Sequence, residues 1–249
     1  MSVSTFCLCV ALLVTAAPPK DIDEKGKISV GVHKLKMHAD TIYHIRVEGN
    51  GFQPEVVIQP GRIIAANPPK KSEILEMLYL PLKTEDVRIL VGLNVLRETV
   101  EANNDYTLKV EAFRLDKTPI LTAKKELTDD DPKYAKPQLV RRESHYKAFP
   151  IKLKAKAYYV IDMIRDGDDQ QFDPFLYLED ADGDIVATDD DSGGDLNARI
   201  VFQPRRSGEY RIIASTLTQM GPPATGPFTL TVRTQQAKAA DGTEQKKER

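Results

Sequence analysis

The sequence predicts an all-β chain made of two tandem jelly-roll-like antiparallel β-sandwich domains. Three observations lead there. Short stretches of strict apolar alternation recur, as in Phe228-Thr229-Leu230-Thr231-Val232 and Tyr106-Thr107-Leu108-Lys109-Val110. That period turns one strand face to a core and the other to water. Turn-forming residues separate the stretches at intervals of ~8 to 12 residues, as in sandwiches. The two halves of the chain can also be laid over one another.

The overall balance is ordinary. Of 249 residues, 41% are apolar and 29% charged, with a formal net charge of −2. Such a chain has no general attraction to nucleic acid phosphates or anionic lipid, so no nucleic acid partner is expected. With no tryptophan and 7% aromatic residues, aromatic platforms for sugars are scarce.

Residues 1–16 read as a secretory signal peptide. An apolar run from Phe6 to Val14 precedes small residues, with Ala16 before the expected cut and Pro18 discouraging a later one. No Lys or Arg precedes the run, a departure from the usual pattern. The run is shorter than the roughly 20 apolar residues of a membrane span. Both cysteines, Cys7 and Cys9, fall inside it, so the mature chain is expected to lack disulfides, thiolate chemistry and Cys-bound metal. The expected location is secreted, periplasmic or within a cell envelope.

Next comes a first sandwich over 27–115. Within it Ser72–Leu80 looks like a short helix, with Ile74, Leu75 and Leu78 at helical spacing. A polar segment over 116–146, with Asp129-Asp130-Asp131 and Arg141-Arg142, reads as a linker. A second sandwich follows over 147–234. The tail 235–249 has almost no large apolar residues and reads as disordered.

The internal match runs through both sandwiches. Phe52-Gln53-Pro54 matches Phe172-Asp173-Pro174, Arg88-Ile89-Leu90-Val91 matches Arg211-Ile212-Ile213-Ala214, and Tyr106-Thr107-Leu108 matches Phe228-Thr229-Leu230. Their separations are 120, 123 and 122 positions, as for related domains with small loop insertions. Leu35, Tyr43 and Ile45 correspond in the same way to Leu153, Tyr159 and Ile161.

Charge concentrates in the second half. Between Asp162 and Asp195 there are thirteen acids and a single base, Arg165. Ca²⁺, which takes six to eight oxygen ligands, relieves such repulsion. The candidate metal ligands are Asp173, Asp189, Asp190, Asp191 and Asp195, with Gly193 and Gly194 letting carbonyls turn inward. A solvated acidic turn is the alternative reading. Asp180-Ala181-Asp182-Gly183-Asp184 lacks the distal Glu of an EF-hand and reads as a hairpin turn. Only the second sandwich is expected to hold metal, because Asn67–Glu73 of the first stands where the acidic loop stands in the second. His33, His38, His44 and His145 fall in the first sandwich or the linker, His33 and His38 are not spaced like ligands of a known motif, and all four read as surface or strand histidines. No Gly-x-Ser-x-Gly, His-Glu-x-x-His or Gly-rich phosphate loop occurs.

The run from Phe172 to Gly183, then Asp189-Asp190-Asp191-Ser192-Gly193-Gly194-Asp195 through Ile200, then Ser207-Gly208-Glu209-Tyr210-Arg211 and Gly226 to Val232, resembles the bacterial pre-peptidase C-terminal domain. That family is related to the collagen-binding modules of clostridial collagenases. The resemblance implies a non-catalytic binding or secretion-related sandwich, sometimes stabilised by calcium. The first sandwich looks like a degenerate relative without the Asp-Asp-Asp-Ser-Gly-Gly loop. The family's module normally accompanies a catalytic domain, whereas here two copies fill the mature chain.

The expected function is therefore that of an exported non-enzymatic binding or accessory protein. Its expected partner is an extracellular protein or polysaccharide, or a separately encoded secreted enzyme. The alternatives are a structural component of the cell envelope contacting its neighbours through sheet edges and, in third place, a metal-dependent hydrolase using the Asp189–Asp195 cluster.

Overall fold

Alternating apolar residues settle into strands along the whole described chain. The computed structural model describes residues 30–50, 52–60, 63–66, 73–92, 106–134, 143–167, 172–217 and 224–236. The signal segment with Cys7 and Cys9, the loop 67–72 and the tail from 237 lie outside the described residues. The described residues form sixteen strands in four antiparallel sheets, and no helix.

Seven strands make the first sandwich: β1 (Val30–Met37), β2 (Thr41–Gly49), β3 (Glu55–Gln59), β4 (Ile63–Ala66), β5 (Ile74–Tyr79), β6 (Glu85–Gly92) and β7 (Tyr106–Arg114). Sheets β1-β6-β3-β4 and β5-β2-β7 enclose a core that includes Met37, Ile45, Val47, Ile58, Ile89 and Leu108. Nine strands make the second: β8 (Leu121–Leu127), β9 (Lys133–Tyr134), β10 (Ser144–Leu153), β11 (Tyr159–Arg165), β12 (Pro174–Glu179), β13 (Ile185–Asp189), β14 (Ala198–Phe202), β15 (Gly208–Thr216) and β16 (Gly226–Thr234). Its sheets, β13-β12-β15-β10-β9 and β14-β11-β16-β8, enclose Ile161, Met163, Phe172, Leu176, Ile212 and Phe228 among others.

The two sandwiches share one strand order. Adding nine to each label turns β1-β6-β3-β4 into β10-β15-β12-β13 and β5-β2-β7 into β14-β11-β16. Strands β8 and β9 are extra edges of the second. A local device recurs as well. The His38 N–H donates to the Tyr43 hydroxyl at 2.9 Å, and the Lys154 N–H to the Tyr159 hydroxyl at 3.0 Å. One residue further on, the Ala39 N–H donates to Thr84 Oγ1 at 3.2 Å and the Ala155 N–H to Ser207 Oγ at 2.8 Å. Each sandwich thus pins the corresponding turn, β1–β2 in the first and β10–β11 in the second, with an equivalent pair of hydroxyls.

Two expectations need correction. Ser72–Leu80 is not helical: it contains β5, paired along β2. Leu75, Met77 and Tyr79 face the first core, while Leu78 and Leu80 pack on the opposite side against the second sandwich. Burial on both faces mimics helical spacing. The segment 116–146 carries β8, β9 and the start of β10. Strand β8 pairs with β16 from Leu121↔Val232 to Leu127↔Gly226. Its apolar face is thin, with Leu121 and Ala123 partly buried and Leu127 fully buried, so its composition reads as polar. The run Asp129-Asp130-Asp131 is a tight turn, in which Asp131 Oδ2 accepts the Thr128 N–H at 2.8 Å and Asp131 Oδ1 accepts Lys147 Nζ.

The halves meet face to face. Ile42, Leu80 and Leu115 of the first sandwich pack against Tyr158 and Val160 of the second, with Leu78, Phe113 and Val201 around them. The Tyr158 ring lies on Phe113 at 4.2 Å between centroids, and its hydroxyl shares a 2.9 Å hydrogen bond with His44 Nδ1. The passage from β7 to β8 is short and tied down. The Asp116 N–H donates to Thr234 O, the Ile120 N–H to Val232 O and the Gln236 N–H to Arg114 O, each at 2.8 Å.

Candidate functional site

The acidic loop of the second sandwich joins β13 to β14, and backbone geometry shapes it first. Gly194, Asp195 and Leu196 have φ of 80°, 53° and 62°, three successive left-handed residues. Gly194 meets that demand at least cost, and Leu196 is held there against its preference. The turn closes by Gly194 N–H to Asp191 O and Asn197 N–H to Gly194 O, both 2.9 Å. A methyl on Gly193 would strike the Asn197 carbonyl, so that glycine is required by close approach.

The five carboxylates expected as metal ligands take separate roles. Asp189 Oδ2 accepts the N–H groups of Ser192 at 3.0 Å and Arg199 at 2.8 Å, serving as a turn anchor. Asp190 Oδ1 accepts the Asp191 N–H at 2.9 Å. Asp195 is exposed. Asp173 sits just before β12, and its Oδ1 is buried without a hydrogen-bond partner. Burial, joined by the charges of Asp191 and Asp190, pushes its carboxyl up to about 6, against a smaller opposing effect of Arg165. Among the described residues no three His, Cys, Asp or Glu side chains are grouped to hold a metal ion. Asp173 feels the charges of Asp190 and Asp191 across from it, while Asp189 is committed to the backbone. Asp180–Asp184 is the expected hairpin: Asp180 Oδ1 accepts the N–H groups of Asp182 and Asp184, and Gly183 has φ of 80°.

Two clefts flank the contact between the sandwiches, and Leu78 and Val201 line both. One, about 810 Å³, lies between the β5–β6 turn (Leu80, Leu82, Lys83) and the acidic loop (Asp189, Asp191, Ser192). The loop and turn approach closely there, because a methyl on Gly194 would sit 3.0 Å from Leu82 Cδ1. The other, about 780 Å³, lies between β2 and β5 of the first sandwich and the β14–β15 turn of the second (Gln203, Arg205, Arg206). The two turns hold corresponding places in the shared strand order. Each cleft is thus built from one half's turn and the other half's sheet.

Other charged groups serve the framework. Glu179 is fully buried on β12, where it accepts the Tyr134 hydroxyl at 2.5 Å and Arg211 Nε at 2.7 Å. Asp162, buried on β11, accepts Arg199 Nε at 2.5 Å and Arg233 at 3.2 Å. Neither was singled out in the sequence, where both vanish into the acidic count. Of the histidines, His33 is buried and shares a 2.6 Å hydrogen bond with the Tyr106 hydroxyl, and His145 is buried with Nδ1 bonded to Asp131 O at 2.8 Å.

No known family profile matches the chain, and no curated protein does. Solved structures matched at low similarity include the plant peptide RALF23 in complex with FER and LLG2, at 7% identity and a TM-score of 0.27 over 84% of this chain and 82% of that one. The M60 catalytic domain with its CBM51 domains from Clostridium perfringens ZmpB gives 7% identity and a TM-score of 0.26, over 83% of this chain and 33% of that one. The CUB1-EGF-CUB2 region of human MASP-1/3 gives 9% and 0.22, over 85% of this chain and 95% of that one.

Proposed function

We propose that this chain is an exported, non-catalytic binding protein made of two related sandwiches. It recognises an extracellular protein or polysaccharide, or accompanies a separately encoded secreted enzyme, through the surface where its halves meet. The observation that carries this reading is the joint itself: a buried apolar contact holds the sandwiches face to face and leaves a cleft on either side. Concave, partly apolar clefts between domains are the usual location of ligand sites. The shared strand order supports the reading of the halves as copies, and the resemblance of the second half to pre-peptidase C-terminal domains supports an exported role.

Calcium ordering of the acidic loop belongs to the same proposal. Its support is the unpartnered Asp173 oxygen beside two further carboxylates. A cation bound only by the folded state raises stability by about 2.7 kcal/mol when free metal is 100 times Kd. Thermal unfolding in EDTA, Ca²⁺ and Mg²⁺ tests this, with Asp190→Asn/Asp191→Asn as the matched variant. A calcium-selective rise that the variant lacks is expected. Equal melting in all conditions would remove calcium from the proposal. Binding to panels of immobilised extracellular proteins and polysaccharides tests the wider role, and binding to none would overturn it.

A further inference from the structure

We propose that the free edge of β7 in the first sandwich is the docking site of the chain's own segment 237–243, which adds there as a further antiparallel strand. Strand β16 then continues out of its own sheet into that of the other half and clasps the two. The inference goes beyond the binding role and does not depend on it, since neither cleft nor the acidic loop takes part.

The ladder that leads to this edge is already begun. Strand β16 pairs with β8 up to Leu121↔Val232. Beyond that point its partner is the end of β7: the Asp116 N–H donates to Thr234 O and the Gln236 N–H to Arg114 O, both at 2.8 Å. The two bonds bracket an antiparallel bridge, Leu115↔Gln235. The chain has thus crossed from one sandwich to the other by Gln236, and residues 237–249 follow. The same register sets Ala237 opposite Phe113 and Thr243 opposite Thr107.

The edge is open, and the shared strand order says what belongs on it. Among the described residues β7 pairs with β2 and with no other strand. The Leu115 N–H turns toward β2, to Asp40 O, while Arg114 O turns the other way, to Gln236. By alternation the backbone groups of Ala112 and Val110 point outward with those of Arg114. Strands β7 and β2 correspond to β16 and β11, and the matching edge of β16 is covered by β8, also antiparallel. The segment after Gln236 arrives where the first sandwich lacks a counterpart of β8.

The residues suit the place. Asp241 falls opposite Lys109 and Ala239 opposite Glu111, so no like charges are paired. On the other face Ala240 and Gly242 fall opposite Val110 and Leu108, which are already buried, so small residues suffice there. No proline interrupts 237–249. That composition gives the segment no core of its own, which is why it reads as a tail. An open edge also templates pairing with a second copy. A second copy loses translational and rotational freedom on docking, whereas a segment bonded at Gln236 continues the ladder with no loop left to close.

Two measurements on the whole chain test the clasp. Amide hydrogen exchange, resolved by residue with NMR, is compared in the wild type, Ala240→Pro and Ala239→Pro. The Ala240 N–H is the one that donates to Val110 O in this register, and the Ala239 N–H faces away. Slow exchange at Val110 and Ala112 is expected in the wild type, at least about tenfold faster in Ala240→Pro and little changed in Ala239→Pro. Amides shared by β10 and β15 should exchange alike in all three. The second measurement is disulfide formation in a Cys7→Ser/Cys9→Ser background. Lys109→Cys/Asp241→Cys places the pair at a non-hydrogen-bonded position, where Cα atoms lie within disulfide reach, and should oxidise within one chain. Lys109→Cys/Gln245→Cys, four residues out of register, should not. Fast exchange at Val110 and Ala112 in the wild type, protection indifferent to Ala240→Pro, or equal oxidation of the two cysteine pairs would overturn the proposal. Protection that grows with protein concentration alongside a dimer in sedimentation would overturn it too, giving the edge to a second copy.

Discussion

At the scale of single residues, the informative positions are carboxylates with buried oxygens. Asp173 has a folded pKa of about 6 against an ordinary value of 3.8. The folded state therefore holds this proton more tightly than the unfolded state does. Between pH 4 and 6 the group makes stability fall as pH rises, and above about pH 6 its full destabilisation is present. Asp173→Asn should flatten that part of the pH–stability curve and raise the melting temperature at pH 7 more than at pH 4.5. Parallel melting scans across this range check it, and curves of unchanged shape would refute the assignment. Calcium binding should weaken as pH falls through 6, because protonated Asp173 no longer favours a cation. Glu179 makes a different case, a buried acid whose oxygens are both partnered, by the Tyr134 hydroxyl and by Arg211. Arg211 sits at 49% side-chain exposure over a fully buried Glu179. Arg211→Met should cost about 2 kcal/mol in urea denaturation, less than for a fully buried pair because the guanidinium is half in water.

Single elements show how much of the fold was legible. Strands with one buried face announced themselves: β7 and β16 alternate in sequence as in burial. Strand β5 did not, because two different cores claim its two faces, and β8 did not, because its exposed face is charged and its buried face nearly empty. The Asp180–Asp184 hairpin was legible from turn chemistry alone. The acidic loop was legible as a loop, but the division of labour within it was not, since nothing in Asp189-Asp190-Asp191 says which carboxylate turns to the backbone. Nor could the interdomain clefts be foreseen, because they depend on which outer faces meet. Strand β1 carries an element-scale prediction. A methyl on Gly31 would fall on the Tyr106 hydroxyl, itself bonded to His33. Gly31→Ala should destabilise the first sandwich by ~2 kcal/mol through overpacking. Adding Tyr106→Phe should recover part of that loss in a double-mutant cycle.

For the whole molecule, the joint decides whether the two sandwiches behave as one body. Tyr158, 4% exposed, links Phe113 and His44 across it. Tyr158→Ala should cost ~3 kcal/mol or more. It should also turn a single calorimetric transition into two and expose the 116–120 connection to protease. One transition in the variant would mean that the short passage from β7, tied to the second sandwich at Thr234 and Gln236 and anchored by the β8–β16 pairing, is enough to keep the halves together. That pairing bears equally on how the chain is made. Residue 121 meets residue 232, so a strand that leaves the ribosome first in the second half must wait for the last of the described strands before its edge is satisfied. Such long-range closure is slow. The first sandwich has all seven of its strands by residue 114 and can close during synthesis. The nascent chain is then left with a finished unit whose outer face, at Ile42 and Phe113, awaits a partner that has not been translated.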